Sequence, residues 1–286
     1  MNFTHTTPKV GGHVSTQGGY AAAARRALQM GGDAFQYFPK NPRRLHVKTP
    51  DFHDCLSCRA FCEEHGLVSV AHTPYPVNMA AGLLKGKEHY RLTVDCLIND
   101  LIIAEACGSL GIVVHFGHGS SQDQLTAYQN MIRCMNEVLR EWNGQAKLLI
   151  ENQAGDHGDM GITLEECVKV RELSSSPDQI GFCLDTCHWF ASGQWQGENT
   201  AQLLKRGSEL GYWESLALVH LNDSKYGAGS RKDRHERVGR GRIGKECLQS
   251  LLQSRELADK VFILETEKGE DGTHRQDIAK VRSWLN

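Results

Sequence analysis

Short apolar runs alternate along this chain with longer stretches in which apolar residues recur every three or four positions. The short runs predict buried strands, and the longer stretches predict amphipathic helices. The eight predicted strands are Gly12–Val14, Asp33–Tyr37, Leu67–Ala71, Gly111–Val114, Lys147–Ile150, Ile180–Leu184, Leu216–Val219 and Val261–Leu264. Regular alternation of strand and helix is typical of a parallel sheet built from βα units.

The helical stretches have recognisable ends. Gly31 and Gly66 follow the first two helices, where glycine is common, and Thr163 with Glu166 forms a capping-box pattern at the start of another. The predicted helices are Gly19–Met30, Phe52–His65, Glu88–Cys107, Gln122–Trp142, a helix beginning after Thr163, Thr200–Leu210, Gly244–Gln253 and Gln276–Leu285.

Eight strand–helix units in 286 residues match the size of a (β/α)₈ barrel. No change of composition marks a linker, and no segment has low complexity. We therefore predict a single domain of the α/β class, a TIM barrel over residues 1–286. In such a barrel the carboxyl ends of the strands surround one mouth, where active sites are built.

The composition is that of an ordinary globular protein, with 40% hydrophobic and 23% charged residues. The N-terminal sequence lacks the apolar core of a signal peptide, and no run is long enough to span a membrane. We therefore expect a cytoplasmic protein with no membrane segment. A formal net charge of −2 argues against a non-specific coat for nucleic acid but allows a basic surface on one face.

The cysteine pattern favours packing over metal binding. The chain has 10 cysteines and no export signal, so reduced thiols are expected. Cys55, Cys58 and Cys62 fall on one face of a predicted helix, where free cysteine packs as a small apolar residue. A zinc ribbon would need a second cysteine pair at matching spacing, which the sequence does not contain.

Residues of the types that bind metal ions stand directly after most of the predicted strands. These residues are His72, His115, Glu151, Asp185, His220 and Glu265. Because the strand ends meet at one mouth of a barrel, we expect these side chains to converge although they are far apart in the sequence. His188 stands three residues after Asp185 and should lie on the first turn that follows the sixth strand.

The stretch from Val219 to Gly244 is broken by glycines and dense in cations. Asp233 and His235 stand two positions apart, so both side chains can point the same way in an extended loop. One interpretation is a metal site beside a track for phosphates, and the simpler alternative is a solvated charged loop. The cations of this stretch are Lys225, Arg231, Lys232, Arg234, Arg237, Arg240 and Arg242.

Together the candidate ligands are five histidines and four carboxylates. Zinc takes about four ligands, so this number suits two or three ions if carboxylates bridge. The remaining histidines that lack a place at a strand end are expected on the surface. They include His46, His53, His65, His89, His157 and His274.

Several motifs resemble those of the endonuclease IV family of apurinic/apyrimidinic (AP) endonucleases. They are GGHVSTQGG, FPKNPR, VVHFG, LIENQAG, CLDTCHWFASG, VHLNDSK, GSRKDRHERVGRGRIG and ILETE, and they extend from about residue 10 to residue 267. The LDTCH and GSRKDRHERVGRGRIG patterns are the most specific. The resemblance implies a (β/α)₈ barrel with a trinuclear zinc cluster.

The resemblance also implies an activity. The family cleaves double-stranded DNA on the 5′ side of an abasic site, leaving a 3′-hydroxyl and a 5′-deoxyribose phosphate, and it trims blocked 3′ ends in base excision repair. This is the activity of a deoxyribonuclease IV of the phage-T4-induced type. Clustered divalent ions suit such chemistry, because they activate a water and neutralise charge on the attacked phosphate and on the leaving oxygen.

Carried over to this sequence, the resemblance assigns the residues to three zinc ions per chain. His72, His115 and Glu151 would hold the first ion, and Glu151 would bridge to a second. That second ion would also take Asp185, His220 and Glu265, while the third would take His188, Asp233 and His235. Histidine-rich sites suit zinc, although manganese or iron could replace one ion. Glu151 is the expected catalytic residue.

Four residues are expected to contact DNA. Arg43 and Tyr75 match family residues that enter the DNA at the lesion, and Lys225 and Arg231 belong to the basic loop that would follow the phosphate backbone. The chain departs from the family in reading HTPYPVN after His72 and FGHG after His115, so the role of His118 is open. A monomer is expected.

Two other functions are compatible with a barrel of this kind. One is a sugar isomerase or epimerase with a single divalent ion, an activity that requires neither the basic loop nor two further sets of metal ligands. The other is a metal-stabilised nucleic-acid-binding module without catalysis. Its zinc sites would each be closed by four protein ligands, whereas nine ligands over three ions leave positions open.

Overall fold

The structure is a computed structural model, and it describes residues 8–119 and 123–285. Eight parallel strands close into a barrel in the order β1-β10-β7-β6-β5-β4-β3-β2. The barrel strands are β1 (Lys9–His13), β2 (Ala34–Tyr37), β3 (Val68–His72), β4 (Gly111–His115), β5 (Lys147–Glu151), β6 (Ile180–Asp185), β7 (Leu216–His220) and β10 (Val261–Leu264). The predicted single-domain TIM barrel is confirmed.

Helices surround the barrel. They are α1 (Tyr20–Gln29), α2 (Phe52–His65), α3 (Lys87–Ala106), α4 (Gln124–Glu141), α5 (Leu164–Glu172), α6 (Thr186–Ala191), α7 (Thr200–Leu210), α8 (Tyr212–Ser215), α9 (Gly244–Leu252) and α10 (Arg275–Leu285). Gln122, the predicted first residue of the fourth helix, lies outside the described residues. The observed helix begins after Asp123, whose side chain accepts a hydrogen bond from the backbone N–H of Thr126.

Side chains that alternate along the strands fill the barrel interior and the surrounding layer. Ala34, Val70 and Leu149 point into the barrel, together with Cys183 and Leu218. The adjacent positions on each strand pack outward against the helices. The stripe of Cys55, Cys58 and Cys62 is buried in that outer layer, as expected for cysteines that pack in a core.

The first strand begins three residues earlier than predicted. Its sequence contains Gly11 and Gly12, and glycine weakens the pattern by which a strand is recognised. The contact with β2 requires glycine, because a Cβ atom at Gly11 would lie 1.6 Å from the carbonyl oxygen of Ala34.

Two short strands that were not predicted lie beside the barrel mouth. β8 (Asp223–Ser224) and β9 (His235–Glu236) pair as an antiparallel ribbon, with Ser224 opposite His235. The intervening stretch is the loop that carries Asp233. In the described part of the chain, no helix combines the length and the apolar composition needed to cross a membrane.

Candidate metal centre at the barrel mouth

The six residues predicted at strand ends converge at one mouth of the barrel: His72, His115, Glu151 and Glu265 line a cavity of about 890 Å³, and Asp185 and His220 are fully buried beside them. His72, His115, Glu151, Asp185 and His220 are the last residues of β3 to β7, and Glu265 follows β10. The strand register sets neighbours directly side by side, with His115 opposite Glu151 and Asp185 opposite His220. A parallel barrel thus brings together residues that the sequence separates.

One cluster is formed by His72, His115 and Glu151. The Nε2 atoms of the two histidines lie 3.6 and 3.5 Å from Oε2 of Glu151. That oxygen is buried and has no hydrogen-bond partner among the residues described. A buried carboxylate oxygen without a partner is costly, so this position is suited to a cation.

A second cluster uses the other oxygen of Glu151. Nδ1 of His220 lies 2.8 Å from Oε1 of Glu151, 3.1 Å from Oε2 of Glu265 and 3.9 Å from Oδ2 of Asp185. One potential ligand atom from each of these four residues lies within 4.8 Å of the others. Glu151 therefore belongs to both clusters.

The third cluster joins a helix to the loop between β8 and β9. Oδ1 of Asp233 lies 3.3 Å from Nε2 of His188 and 3.1 Å from Nε2 of His235. Asp185 caps α6 by accepting a 2.7 Å hydrogen bond from the backbone N–H of His188, which fixes the histidine on the first helical turn. Both histidine Nε2 atoms are buried without a hydrogen-bond partner in the described ranges.

Hydrogen bonds on the far sides of the imidazoles determine which nitrogen faces each cluster. Nδ1 of His72 lies 2.8 Å from the carbonyl oxygen of Thr73, and Nδ1 of His188 lies 2.9 Å from that of Asn152. A carbonyl oxygen only accepts, so Nδ1 carries a proton, and Nε2 is the nitrogen that faces the cluster and can bind a cation in place of a proton. This arrangement is common for metal-binding histidines.

The buried carboxylates of the clusters favour positive charge next to them. Burial lowers the pKa of His188, but the carboxylates of Asp185 and Asp233 outweigh it and hold that pKa well above 6.5. For Glu151, burial acts to raise the pKa, and the surrounding histidines, His220 first, hold it well below its usual value. Lowered pKa values keep Glu151, Asp233 and Glu265 ionised, and a divalent cation bound through nitrogen and oxygen can replace the positive charge that the protonated histidines supply. The residues therefore fit the implied zinc ions.

Sequence reasoning missed three buried amides that support the clusters. Nδ2 of Asn222 donates to Oδ2 of Asp185 at 2.6 Å, and the backbone N–H of Asp185 donates to Oδ1 of Asn152 at 2.7 Å. Gln36 on β2 contacts both His220 and Glu265. The available signal was an amide inside or directly after an apolar strand, where a polar side chain needs a partner.

The surface assignment was wrong for His274. Its side chain is only 2% exposed, lines the cavity and packs against the backbone of Gly12. His46 and His89 are half-buried, whereas His53, His65 and His157 are exposed as expected. His118 is also exposed, with its ring centroid 5.0 Å from that of His157.

The residues predicted to contact DNA fall into two groups. Tyr75 is 59% exposed at the rim of the cavity, and its backbone N–H donates a 2.8 Å hydrogen bond to the carbonyl oxygen of Pro42, next to the exposed Arg43. Lys225 and Arg231 form ion pairs with acidic residues, with Nζ of Lys225 3.0 Å from Oε1 of Glu267 and Nη2 of Arg231 2.7 Å from Oδ1 of Asp159.

Known proteins resemble this chain in sequence and in fold. The family described as xylose isomerase-like TIM barrel matches residues 24–286. A probable endonuclease 4 of Symbiobacterium thermophilum is 37% identical over 277 residues, covering 97% of this chain and 99% of that protein. A probable endonuclease 4 of Thermotoga maritima is 31% identical, covering 96% of this chain and 95% of that protein.

Among solved structures, endonuclease IV from Thermus thermophilus is similar, with a TM-score of 0.85, 32% identity, and coverage of 97% of this chain and 99% of that one. A D-tagatose 3-epimerase-like protein has a TM-score of 0.68 at 19% identity and shares the fold, covering 97% of this chain and 95% of that one. The sequence motifs, the closed barrel and these full-length similarities agree: the chain belongs to the endonuclease IV family.

Proposed function

We propose that this protein is a zinc-dependent AP endonuclease of base excision repair. It hydrolyses the phosphodiester bond on the 5′ side of an abasic site, leaving a 3′-hydroxyl and a 5′-deoxyribose phosphate, and it trims blocked 3′ ends. The observation that carries the proposal is the set of three donor clusters at one barrel mouth, two of which share Glu151. The endonucleases among its relatives support the same reaction.

The clusters would hold three zinc ions per chain. His72, His115 and Glu151 form the first set, Glu151 with Asp185, His220 and Glu265 the second, and His188, Asp233 and His235 the third. Manganese or iron could replace one ion. When bound, such ions lower the pKa of a water and neutralise negative charge on phosphate oxygens.

Glu151 is the proposed catalytic residue. Its carboxylate is 1% exposed and stays ionised because the neighbouring histidines lower its pKa. An ionised carboxylate at this position can accept a hydrogen bond from the attacking water and orient it towards the phosphate. The buried side chains around Glu151 lower the local dielectric, which strengthens each electrostatic contact made there.

Recognition of double-stranded DNA is assigned to residues around the cavity. Tyr75 and Arg43 lie on neighbouring rim loops, where they can enter a duplex at a lesion whose missing base makes extrusion inexpensive. Lys225 and Arg231 are exposed, and their ion pairs with Glu267 and Asp159 can be exchanged for contacts with phosphates. We propose that the protein acts in the cytoplasm as a monomer.

Two measurements on purified protein test the proposal. Elemental analysis should find close to three metal ions per chain, mainly zinc. A labelled duplex with one abasic site should be cut on its 5′ side, with an end that a polymerase extends. An uncut duplex together with a single bound ion would contradict the proposal and favour a single-metal sugar isomerase.

A further inference from the structure

The side chain of Gln36 connects two proposed ligands of the second cluster. Gln36 is fully buried on β2 and points into the barrel, on the same face of the strand as Ala34. Its Oε1 lies 2.8 Å from Nε2 of His220, and its Nε2 lies 2.6 Å from Oε1 of Glu265. A third contact, of 3.2 Å, joins its Nε2 to Nδ1 of His13.

The acceptor at Glu265 determines the orientation of this amide. A carboxylate oxygen accepts hydrogen bonds, only the nitrogen of the Gln36 amide can donate one, and that nitrogen lies 2.6 Å from Oε1 of Glu265. The amide N–H of Gln36 must therefore face Glu265. Its carbonyl oxygen is then left for His220, where it can only accept, so Nε2 of His220 must carry a proton.

This orientation has a consequence for both ligands. With a proton held on Nε2 by Gln36, His220 can offer only Nδ1 to a cation, and this is the atom that faces Glu151, Glu265 and Asp185. Glu265, with Oε1 engaged by Gln36, turns Oε2 towards the same point, 3.1 Å from Nδ1 of His220. One amide thus selects the ligating atom of two residues.

We propose that Gln36 is a positioning residue of the second cluster, which fixes the tautomer of His220 and presents one oxygen of Glu265 to the bound cation. The inference rests on the proposed metal site. Partners of metal ligands that act in this way typically contribute about 10- to 100-fold to metal affinity. Gln36 itself is fully buried and is not one of the proposed metal ligands.

Zinc binding by Gln36→Met tests the proposal, since methionine keeps the length of the side chain and removes both hydrogen bonds. The matched control is Tyr37→Phe on the next position of β2, which removes a buried hydrogen bond of 2.9 Å to Ser109 on the helix-facing side. Both variants and the wild type are titrated with Zn²⁺ against a chelator. The imidazole N–H protons of the zinc-loaded proteins are followed by NMR. The signal of His220 is assigned as the one that is missing from the spectrum of His220→Asn.

We expect Gln36→Met to weaken zinc binding at one site by at least about 10-fold. The Nε2–H proton of His220 should lose its protection from exchange with water, while Tyr37→Phe changes neither property. Gln36→Glu keeps an acceptor at His220 and should keep the protected proton. Unchanged zinc affinity and an unchanged protected proton in Gln36→Met would overturn the role of Gln36 but leave the proposed function standing. A wild type that binds no zinc would overturn both.

Discussion

Arg237 holds the carboxylate of Asp277 through two contacts, Nε to Oδ2 at 2.8 Å and Nη2 to Oδ1 at 3.1 Å. Asp277 is fully buried on α10, and Arg237 directly follows β9. The ion pair therefore ties the segment that carries His235 to the last helix.

Removing the Arg237 side chain should destabilise the folded protein. Arg237→Ala leaves the buried carboxylate of Asp277 with Lys280, at 3.8 Å, as its remaining cationic partner within 4 Å among the described residues. We expect the free energy of unfolding to fall by about 3 kcal/mol, measured by denaturant titration. Arg206→Ala is the control, since Arg206 pairs with Glu165 at an exposed position and should have little effect. Equal effects of the two substitutions would show that burial of Asp277 does not matter.

Glu151→Gln tests the proposed catalytic residue. The amide keeps the shape of the side chain but lacks the charge that two clusters share. We expect the variant to fold, to bind abasic duplex, and to lose at least about 10²-fold in cleavage rate. Glu267→Gln, which changes an exposed carboxylate outside the clusters, should cleave near normally. Near-normal cleavage by Glu151→Gln would remove Glu151 from the catalytic assignment.

His235→Ala should lose metal before the other cluster variants do. His235 belongs to the short ribbon beside the mouth, whereas the ligands of the first two clusters stand at or directly after barrel strands. Elemental analysis after dialysis should find about one ion fewer per chain than in the wild type. His274→Ala is the matched control, because His274 lines the same cavity but belongs to none of the clusters. Full metal content in His235→Ala would contradict the third site.

Arg43→Ala should reduce selectivity for the lesion. Because phosphate contacts elsewhere remain, we expect affinity for an abasic duplex to fall by about 10-fold while affinity for intact duplex changes little. Binding is measured at several salt concentrations, since phosphate contacts weaken with salt. The neighbouring exposed Arg44 gives the control, and Arg44→Ala should leave selectivity unchanged. Equal losses on both duplexes in Arg43→Ala would show that it contacts only the backbone.

The buried ion pair of Lys40 and Asp100 predicts a pH effect on stability. Burial raises the pKa of Asp100 from 3.8 to about 7, although Lys40, 3.0 Å away, acts to lower it. The folded protein then binds more protons than the unfolded chain between these values, so the stability contributed by Asp100 falls as pH rises through that window.

Replacing Asp100 should remove this contribution. We expect the melting temperature of Asp100→Asn to fall less, or rise more, between pH 4 and 7 than that of the wild type, measured by calorimetry. Asp95→Asn, which changes a partly exposed carboxylate on the same helix, should keep the wild-type slope. The same slope in Asp100→Asn would show that Asp100 does not titrate in this range.

The sequence predicts the barrel and the strand-end residues well because both depend on local patterns. An apolar run ending at His115 or Glu151 is visible in the sequence, and the parallel barrel alone then brings these side chains together. The prediction that Glu151 bridges two ions came from family resemblance, and the structure places its two oxygens in different clusters.

The supporting contacts could not be predicted in the same way. Gln36 and His220 are far apart in the sequence, and their contact depends on the closure of the ring, in which only β1 and β10 lie between β2 and β7. His274 was placed on the surface because no strand precedes it, yet the loop after β10 returns over Gly12 and buries it. Such contacts follow from closure of the barrel and not from a local pattern.

The pairing of β1 with β10 closes the ring between its first and last strands. During synthesis the ribosome releases β1 long before β10 is made. The edge of β1 that pairs with β10 therefore stays unpaired until the last strand has been synthesised. Glu265, one of the donors of the second cluster, directly follows β10. A nascent chain therefore contains an incomplete second cluster until the barrel can close, so the proposed second metal site cannot be complete before the last strand is made.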